Sequence, residues 1–340
     1  MNKIQQEDIL AFAQNFELSD FIVGSRFLVT GATGLIGSTL VHCLIALDRA
    51  VDITCPVRNI AKAQAMYGEN FEKIHFVECD LLEYLNNLTT NDYFDYIVHC
   101  ASPTSGKYMV EFPVETYTLA IDSTRSILKH IYKTNAKGFV YISSIEYYGQ
   151  NSDDKIIKED VLGYVDNTDP RSSYSLGKRA AEFLCAAYAN QYGVNANVAR
   201  LTQTFGPGIA IDDNRVFAQF ARSVISNNNI VLHTSGMSAK PYCYTTDCIS
   251  AILYILLKGK KGESYNVANE DTYISVRDMA DFLRKNFNPK IKVIIEEHPE
   301  MCYAPVTRLH LSAEKLMSIG WKPSVNLKEM YNRLIKSLTL

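Results

Sequence analysis

No stretch of this chain approaches the ~20 consecutive apolar residues that a helix needs to cross a bilayer, so a membrane-spanning helix is excluded from the start. Paired cysteines are missing too. The eight cysteines, Cys43, Cys55, Cys79, Cys100, Cys185, Cys243, Cys248 and Cys302, form no Cys-x-x-Cys pair, and several sit inside apolar runs. That scatter argues against a zinc site or a disulfide framework and for buried, reduced thiols; no metal site is expected. Neither sign of charge dominates. With 34 Lys and Arg against 37 Asp and Glu, and a net charge of -3, no global field favours nucleic acid or an anionic membrane surface. An anionic small molecule must therefore be held by a local cluster. Residues 1–8 are too polar for a secretory signal, and with reduced thiols they lead to the expectation of a cytoplasmic protein. Internal repeats, linkers and low-complexity tracts are absent as well.

What the sequence does have is alternation. After an amphipathic helix within residues 1–20, short apolar runs at 26–30, 51–57, 74–79, 96–100, 138–143 and 195–201 read as buried strands. Helical patterns at 35–47, 60–67, 113–134 and 172–192 lie between them. Strand and helix in turn give right-handed β-α-β units on a parallel sheet covered on both faces. Beyond residue 202 the alternation loosens: a Phe205-Gly206-Pro207-Gly208 turn, helices near 214–226 and 246–257, strands near 230–233 and 291–295, and two last helices. Ser275 followed by Asp278 is a further helix start, though Asp is a weaker partner than Glu for a capping box. The expected architecture is a Rossmann-type doubly wound α/β sheet with a smaller α/β C-terminal lobe. Residues 1–202 and 230–268 would form the first, 203–229 and 269–340 the second. Ligand is expected between them, beyond the carboxyl ends of the strands.

The turn Gly31-Ala32-Thr33-Gly34-Leu35-Ile36-Gly37 joins the first strand to the first helix. Glycines let a backbone approach a pyrophosphate, whose charge then sits at the positive end of the helix. The same spacing serves a tight turn with no ligand; its place in a β-α-β series is what points to a dinucleotide. NAD sites usually place an acid about 20 residues on, at the end of the second strand. Here that stretch is Thr54-Cys55-Pro56-Val57-Arg58-Asn59, and Asp52 comes too early. Arg58 either meets a 2′-phosphate, which favours NADP over NAD, or is a solvated residue opening the next helix. Asp80 and Leu81, after the third strand, suit an adenine contact, and Asp80 equally suits a helix cap.

Tyr174-Ser175-Leu176-Gly177-Lys178 puts a phenol and an ammonium on one helix face. A phenol titrates near pH ~10 and is a poor base at neutrality. A neighbouring ammonium stabilises phenolate, which can then take a hydroxyl proton while hydride leaves the same carbon. Among 21 tyrosines such a spacing also arises without function. Here Ser143-Ser144 ends a strand 30 residues before Tyr174, and a serine there can bind the reacting oxygen.

Together these motifs resemble the extended short-chain dehydrogenase/reductase family, the NAD-dependent epimerase/dehydratase group, over residues 27–335. Supporting segments are His99-Cys100-Ala101-Ser102, Ser144-Ile145-Glu146-Tyr147-Tyr148-Gly149, residues 200–208, Tyr244-Thr245-Thr246-Asp247 and residues 316–323. The resemblance implies Ser144, Tyr174 and Lys178 as catalytic residues and Ala101 and Ser102 beside the cofactor. It also implies a homodimer through the helices at 113–134 and 172–192.

Within the family, 4,6-dehydratases follow the hydroxyl residue with Asp and Glu; here Ile145 and Glu146 follow Ser144. Isoleucine donates no proton, so dehydration is not expected, and the pattern most resembles the UDP-glucuronate decarboxylase and nucleotide-sugar epimerase branch. Glu146 is then a residue near sugar C4 to C6, or a brace for Tyr174 and its loop. Where the family grips a substrate diphosphate with arginine, this chain has Pro241 with Lys240 beside it, and lysine lacks the bidentate fork. A later Arg-bearing segment is replaced by residues 298–303, and the usual asparagine is Gln203. Arg215 and Arg308 remain candidates for phosphate contacts or are surface residues. The sequence thus implies a nucleotide-sugar enzyme working at C4 through NADP or NAD, of decarboxylase or epimerase type. The alternative is an NADPH-dependent reductase of a keto sugar, linked to a nucleotide or a simple phosphate. A non-catalytic cofactor-binding regulator is opposed by the intact serine, tyrosine and lysine.

Overall fold

The computed structural model describes residues 1–298 and 305–339. In chain order the first half runs α1 (Lys3–Asn15), β1 (Arg26–Thr30), α2 (Leu35–Ala46), β2 (Asp52–Val57), α3 (Ile60–Tyr67), β3 (His75–Glu78), α4 (Leu81–Asn87) and β4 (Tyr96–His99). It continues with α5 (Gly106–Glu111), α6 (Pro113–Thr134), β5 (Gly138–Ser144), β6 (Ile156–Ile157), α7 (Ser173–Tyr192) and β7 (Ala196–Leu201). The second half holds β8 (Gln203–Phe205), α8 (Val216–Ile225), β9 (Ile230–Leu232), β10 (Ala239–Tyr244), α9 (Thr245–Lys258) and β11 (Ser264–Val267). Last come β12 (Asn269–Ser275), α10 (Val276–Phe287), β13 (Val293–Ile295), β14 (His310–Leu311), α11 (Glu314–Met317) and α12 (Leu327–Thr339).

Seven strands make one parallel sheet in the order β11-β7-β5-β4-β1-β2-β3. Alternation along β1 supplies both of its faces. Phe27 and Val29 pack with Leu44 and Ile252 on the side of α2 and α9, while Leu28 packs with Ile127 and Phe139 on the side of α6. β4 and β7 are buried along their whole length, as strands covered on both faces must be. α9 is apolar on nearly every side and lies buried against the sheet. The strand order turns back on itself between β1 and β4, and ligands of open α/β sheets bind at such a point.

The remaining strands form small sheets: β12-β10-β8, β13 with β9, and β14 with β6. These pairings cross the boundary expected at residue 230. β9 and β10 hydrogen-bond to lobe strands, and Ile230, Leu232, Tyr242 and Tyr244 pack with Phe217, Met279 and Tyr331 from α8, α10 and α12. The helix expected from 214 begins at Val216, because Arg215 is its N-cap and its amide donates to Asp213. At α10, Ser275 caps the Asp278 amide (3.0 Å), and Asp278 answers only the serine hydroxyl (2.6 Å); half of a capping box forms.

Two polar clusters fasten distant segments. The buried Asp8 accepts from Tyr244 (2.5 Å) and pairs with Arg333 (2.5 Å), tying α1, the β10–α9 junction and α12 together. The buried Trp321 indole donates to the Asp247 carbonyl (3.1 Å), while the Asp247 carboxylate accepts from Ser324 and Val325. The seven described cysteines are free thiols, five of them buried; Cys302 lies outside the described residues. Among the described residues no helix is long and apolar enough to cross a membrane.

Candidate active site

The glycine turn lies at the sheet's turning point. Gly31 has φ +71°, and a Cβ there would meet the Ala101 amide nitrogen at 2.7 Å; a Cβ on Gly37 would meet the Gly31 carbonyl at 2.3 Å. Both positions therefore require glycine for close packing of turn, helix and β4. Gly34 is the N-cap of α2 and supplies no side-chain cap, which leaves the amides of the Leu35-Ile36-Gly37 turn for an anion. A hydrogen-bonded chain fixes the wall opposite. The Ala101 amide donates to Thr30 Oγ1 (3.2 Å), which contacts His99 Nδ1 (2.6 Å), and His99 Nε2 contacts Ser123 Oγ (2.8 Å). Ser123 donates to the Leu119 carbonyl, so it accepts from His99, and the Thr30 hydroxyl donates to Nδ1. Burial keeps this imidazole neutral, with its pKa pushed down to about 3. The residues present thus fit a dinucleotide: Thr33 sits in the turn, and Ala101 and Ser102 follow β4.

At the ends of β2 and β3, Arg58 is exposed and has no carboxylate partner among the described residues. Asp52 opens β2, far along the strand from that end, and pairs with Arg26. Asp80 caps α4, accepting from the Glu83 amide at 3.1 Å, and Leu81 begins that helix.

Ser144, at the end of β5, and Ser102 offer hydroxyls to the half-buried Tyr174 phenol at the start of α7. Lys178, one turn further, is 2% exposed; its ammonium donates to the Ile142 carbonyl (2.7 Å) and lies 5.3 Å from the Tyr174 ring centre. Burial pushes the phenol up to about 12, with the Glu146 carboxylate adding to the rise and Ser144, Arg171 and Ser102 opposing it. Burial pulls Lys178 down to about 8 against the attraction of Glu182. The two groups respond as burial dictates, each resisting its charged form. Both come closer to exchanging protons once charge of the right sign arrives beside them.

Beneath Lys178 is a network the sequence reading missed. Ser143 faces away from Ser144, as neighbours on a strand do, and donates to Glu182. Arg200 donates to both Glu182 oxygens (3.2 and 2.8 Å), to Tyr148 Oη (2.9 Å) and to the Glu159 carbonyl (2.6 Å). The signal was present: Glu182 follows Lys178 by four residues on the same helix face.

Facing the lobe, Glu146 lies in the short helix after Ser144, whose Oγ accepts the Glu146 amide (3.2 Å). Its carboxylate is held by both arms of Arg171 at 2.9 Å, another residue the sequence reading passed over, three places before Tyr174. Ile145 instead points into a small core with Tyr148 and Leu311. Lys240, half-buried on β10, feels both Glu146 and Arg215, and burial lowers its pKa. The structure therefore gathers Ser102, Ser144, Glu146, Tyr174, Lys178 and Lys240 in one electrostatic neighbourhood. Arg215 adjoins it with its guanidinium already committed to Asp213 (2.5 Å). Gln203 pairs with Tyr242 on the neighbouring strand β10, while Arg308 is engaged with Asp154 (3.6 Å). Of residues 298–303, only His298 is described. His233, Glu296 and His298, at the β9–β13 pair, bring their ligand atoms within 4.8 Å of one another.

Comparison with known proteins agrees with this architecture. UDP-glucuronic acid decarboxylase 6 of Arabidopsis thaliana is 27% identical over 311 residues, covering 89% of this chain and 86% of that protein. UDP-glucuronic acid decarboxylase 1 of Danio rerio is 26% identical, covering 96% and 76%. Among solved structures, UDP-glucose 4-epimerase of Thermotoga maritima, with UDP-glucose, superposes with a TM-score of 0.79 at 20% identity, covering 92% of this chain and 98% of that one. The Bacillus cereus UDP-glucuronic acid 4-epimerase, in complex with UDP-glucuronic acid and NAD, gives 0.75 at 20% identity, covering 92% and 99%. The family model for the NAD dependent epimerase/dehydratase family matches residues 27–268, well over half of the chain, and with the cradle and the Tyr174 cluster in place the protein is an enzyme that belongs to that family.

Proposed function

We propose that this enzyme oxidises and re-reduces C4 of a nucleotide-linked sugar, as a decarboxylase or an epimerase that retains its cofactor through turnover. One observation carries the reading: Ser102, Ser144 and Lys178 converge on Tyr174, with Glu146 as the acid that follows the serine. The nicotinamide, when bound, supplies a hydride acceptor and donor. Tyr174, as phenolate, takes the C4 hydroxyl proton, Lys178 stabilises that phenolate, and Ser144 holds the oxygen. On a uronic acid the resulting C4 ketone accepts the electron pair of the C5–C6 bond as carbon dioxide leaves, the enolate takes a proton at C5, and the ketone so restored is reduced again at C4. Where the substrate is neutral, or its carboxylate is kept, the ketone is reduced again from its other face. Ile145, buried in its own core, has no proton to give, which argues against dehydration.

The test is incubation of the NAD-loaded protein with UDP-glucuronic acid and UDP-glucose, following products by NMR and cofactor absorbance at once. A new sugar nucleotide with no net absorbance change is expected. In a parallel incubation supplied with NADPH and a 4-keto sugar nucleotide, stoichiometric NADPH loss, with no product in the NAD-loaded arm, would overturn the retained-cofactor reading and favour a reductase of a keto sugar, linked to a nucleotide or a simple phosphate. Arg58, exposed and without an acidic partner at the end of β2, supports NADP for either reading. Clear preference for NAD in a binding comparison would remove that support. We also propose a homodimer through α6 and α7, which present Val114 (67% exposed) and Phe183 (71% exposed); light scattering showing a monomer would overturn it.

A further inference from the structure

The Glu146–Arg171 pair sits where a substrate's reacting end would arrive, three residues before Tyr174 and two after Ser144. Two guanidinium nitrogens lie 2.9 Å from its two carboxylate oxygens, and one of these contacts, Nη2 to Oε1, is a hydrogen bond. Yet it is a half-exposed pair, its partners 38% and 39% accessible, and such pairs are held weakly enough to exchange. The rest of Arg171 is well anchored. Pro170 opens the short helix Pro170–Ser172, Asp169 accepts the Arg171 amide (2.9 Å), and Ser173 donates to the Met109 carbonyl. The loop that carries Glu146 is anchored separately by Arg179, which donates to the Tyr147 and Gly163 carbonyls (2.8 and 2.9 Å). Two fixed backbones thus present one half-exposed ion pair beside the phenol. The surrounding charge favours an incoming anion: Lys240, half-buried, has no ion pair of its own among the described residues.

We propose that Arg171 exchanges the Glu146 carboxylate for the carboxylate of an acidic sugar, so that Glu146 is freed beside Tyr174 only when an anionic substrate is seated. A neutral sugar leaves the internal pair closed. Arg171 is then the specificity determinant for a uronic acid over a hexose on the same nucleotide. This rests on the nucleotide-sugar reading above and goes beyond it by naming the charge at the reacting end.

The test measures binding of UDP-glucuronic acid and UDP-glucose to the full-length, NAD-loaded protein by calorimetry, in wild type, Arg171→Gln, Arg171→Lys and Glu146→Gln. Arg171→Gln is expected to weaken UDP-glucuronic acid about tenfold or more and to leave UDP-glucose within about twofold. Arg171→Lys should recover part of the loss. Glu146→Gln, which removes the internal competitor, should tighten the acid selectively. Equal loss for both sugars in Arg171→Gln, or weaker binding of the acid in Glu146→Gln, overturns the exchange while leaving the nucleotide-sugar reading intact. If wild type binds NAD but neither sugar nucleotide, the substrate reading falls and the exchange with it. Should Arg171→Gln fail to fold, the Glu146→Gln comparison decides alone.

Discussion

Two glutamate–arginine pairs flank the Tyr174 helix, and they are built for opposite ends. Glu182 and Arg200 are 5% and 4% exposed, and beyond each other they bond to Ser143, Ser264, Tyr148 and the Glu159 carbonyl. Glu146 and Arg171 meet through two 2.9 Å contacts, one of them a hydrogen bond, at the lobe-facing mouth, and both are more than a third exposed. The buried pair cannot lose one member without stranding a charge, so it fixes the floor under Lys178. The open pair can change partners at little cost, so it is free to respond to a ligand. The difference separates a part that sets the chemistry from a part that selects what undergoes it.

Four experiments would break or sharpen that contrast. Replacing Tyr174 by Phe should lower kcat by about 10²–10⁴-fold without disturbing cofactor titration, because only the proton relay is removed; retention of activity would dismantle the buried half of the comparison. Glu182→Gln should reduce the free energy of unfolding in urea by about 3–5 kcal/mol, since Arg200 would be left buried with a neutral partner. A loss under ~1 kcal/mol would mean the two pairs are energetically alike. The third concerns pH. Lys178 has a folded-state pKa of about 8, below its ordinary value of 10.5. Between those values the unfolded chain binds more protons than the folded one, so stability from this group rises with pH across that window. The stability of wild type relative to Lys178→Met should therefore increase by ~2 kcal/mol from pH 8 to pH 10.5 in the cofactor-free protein; a flat difference would show that the ammonium is not desolvated. Finally, Glu146→Gln should change unfolding free energy by less than ~1 kcal/mol, as half-exposed pairs do.

Much of the first half was legible because its strands are short, continuously apolar and punctuated by glycine or polar turns. β1, α3 and α6 have the bounds that periodicity assigns, since each is delimited by residues that end it locally, such as Asn135 in the left-handed region after α6. The strands β6, β8, β10, β11, β12 and β14 are not among those expected from the sequence. β8 is three residues long, and β10 joins β8 to β12 across distant sequence, so pairing rather than local pattern defines them. The same reason divides the site. Ser144, Tyr174 and Lys178 could be named from spacing, because a helical turn and a strand end fix their relation. Arg171 could not, since its meaning lies in Glu146, 25 residues earlier, and Glu182 acquires its role only against Arg200 on another element.

The clasp of Asp8, Tyr244 and Arg333 carries a consequence for how the chain is made. Tyr244 meets Asp8 across 236 positions of sequence, and Arg333 comes later still. At roughly 5–20 residues added per second, the first helix is synthesised on the order of tens of seconds before its arginine exists. Throughout that interval Asp8 has no cation to justify its burial, and burial alone drives its carboxyl toward the protonated form. The clasp should therefore close late, once α12 has been made and packs beside α1.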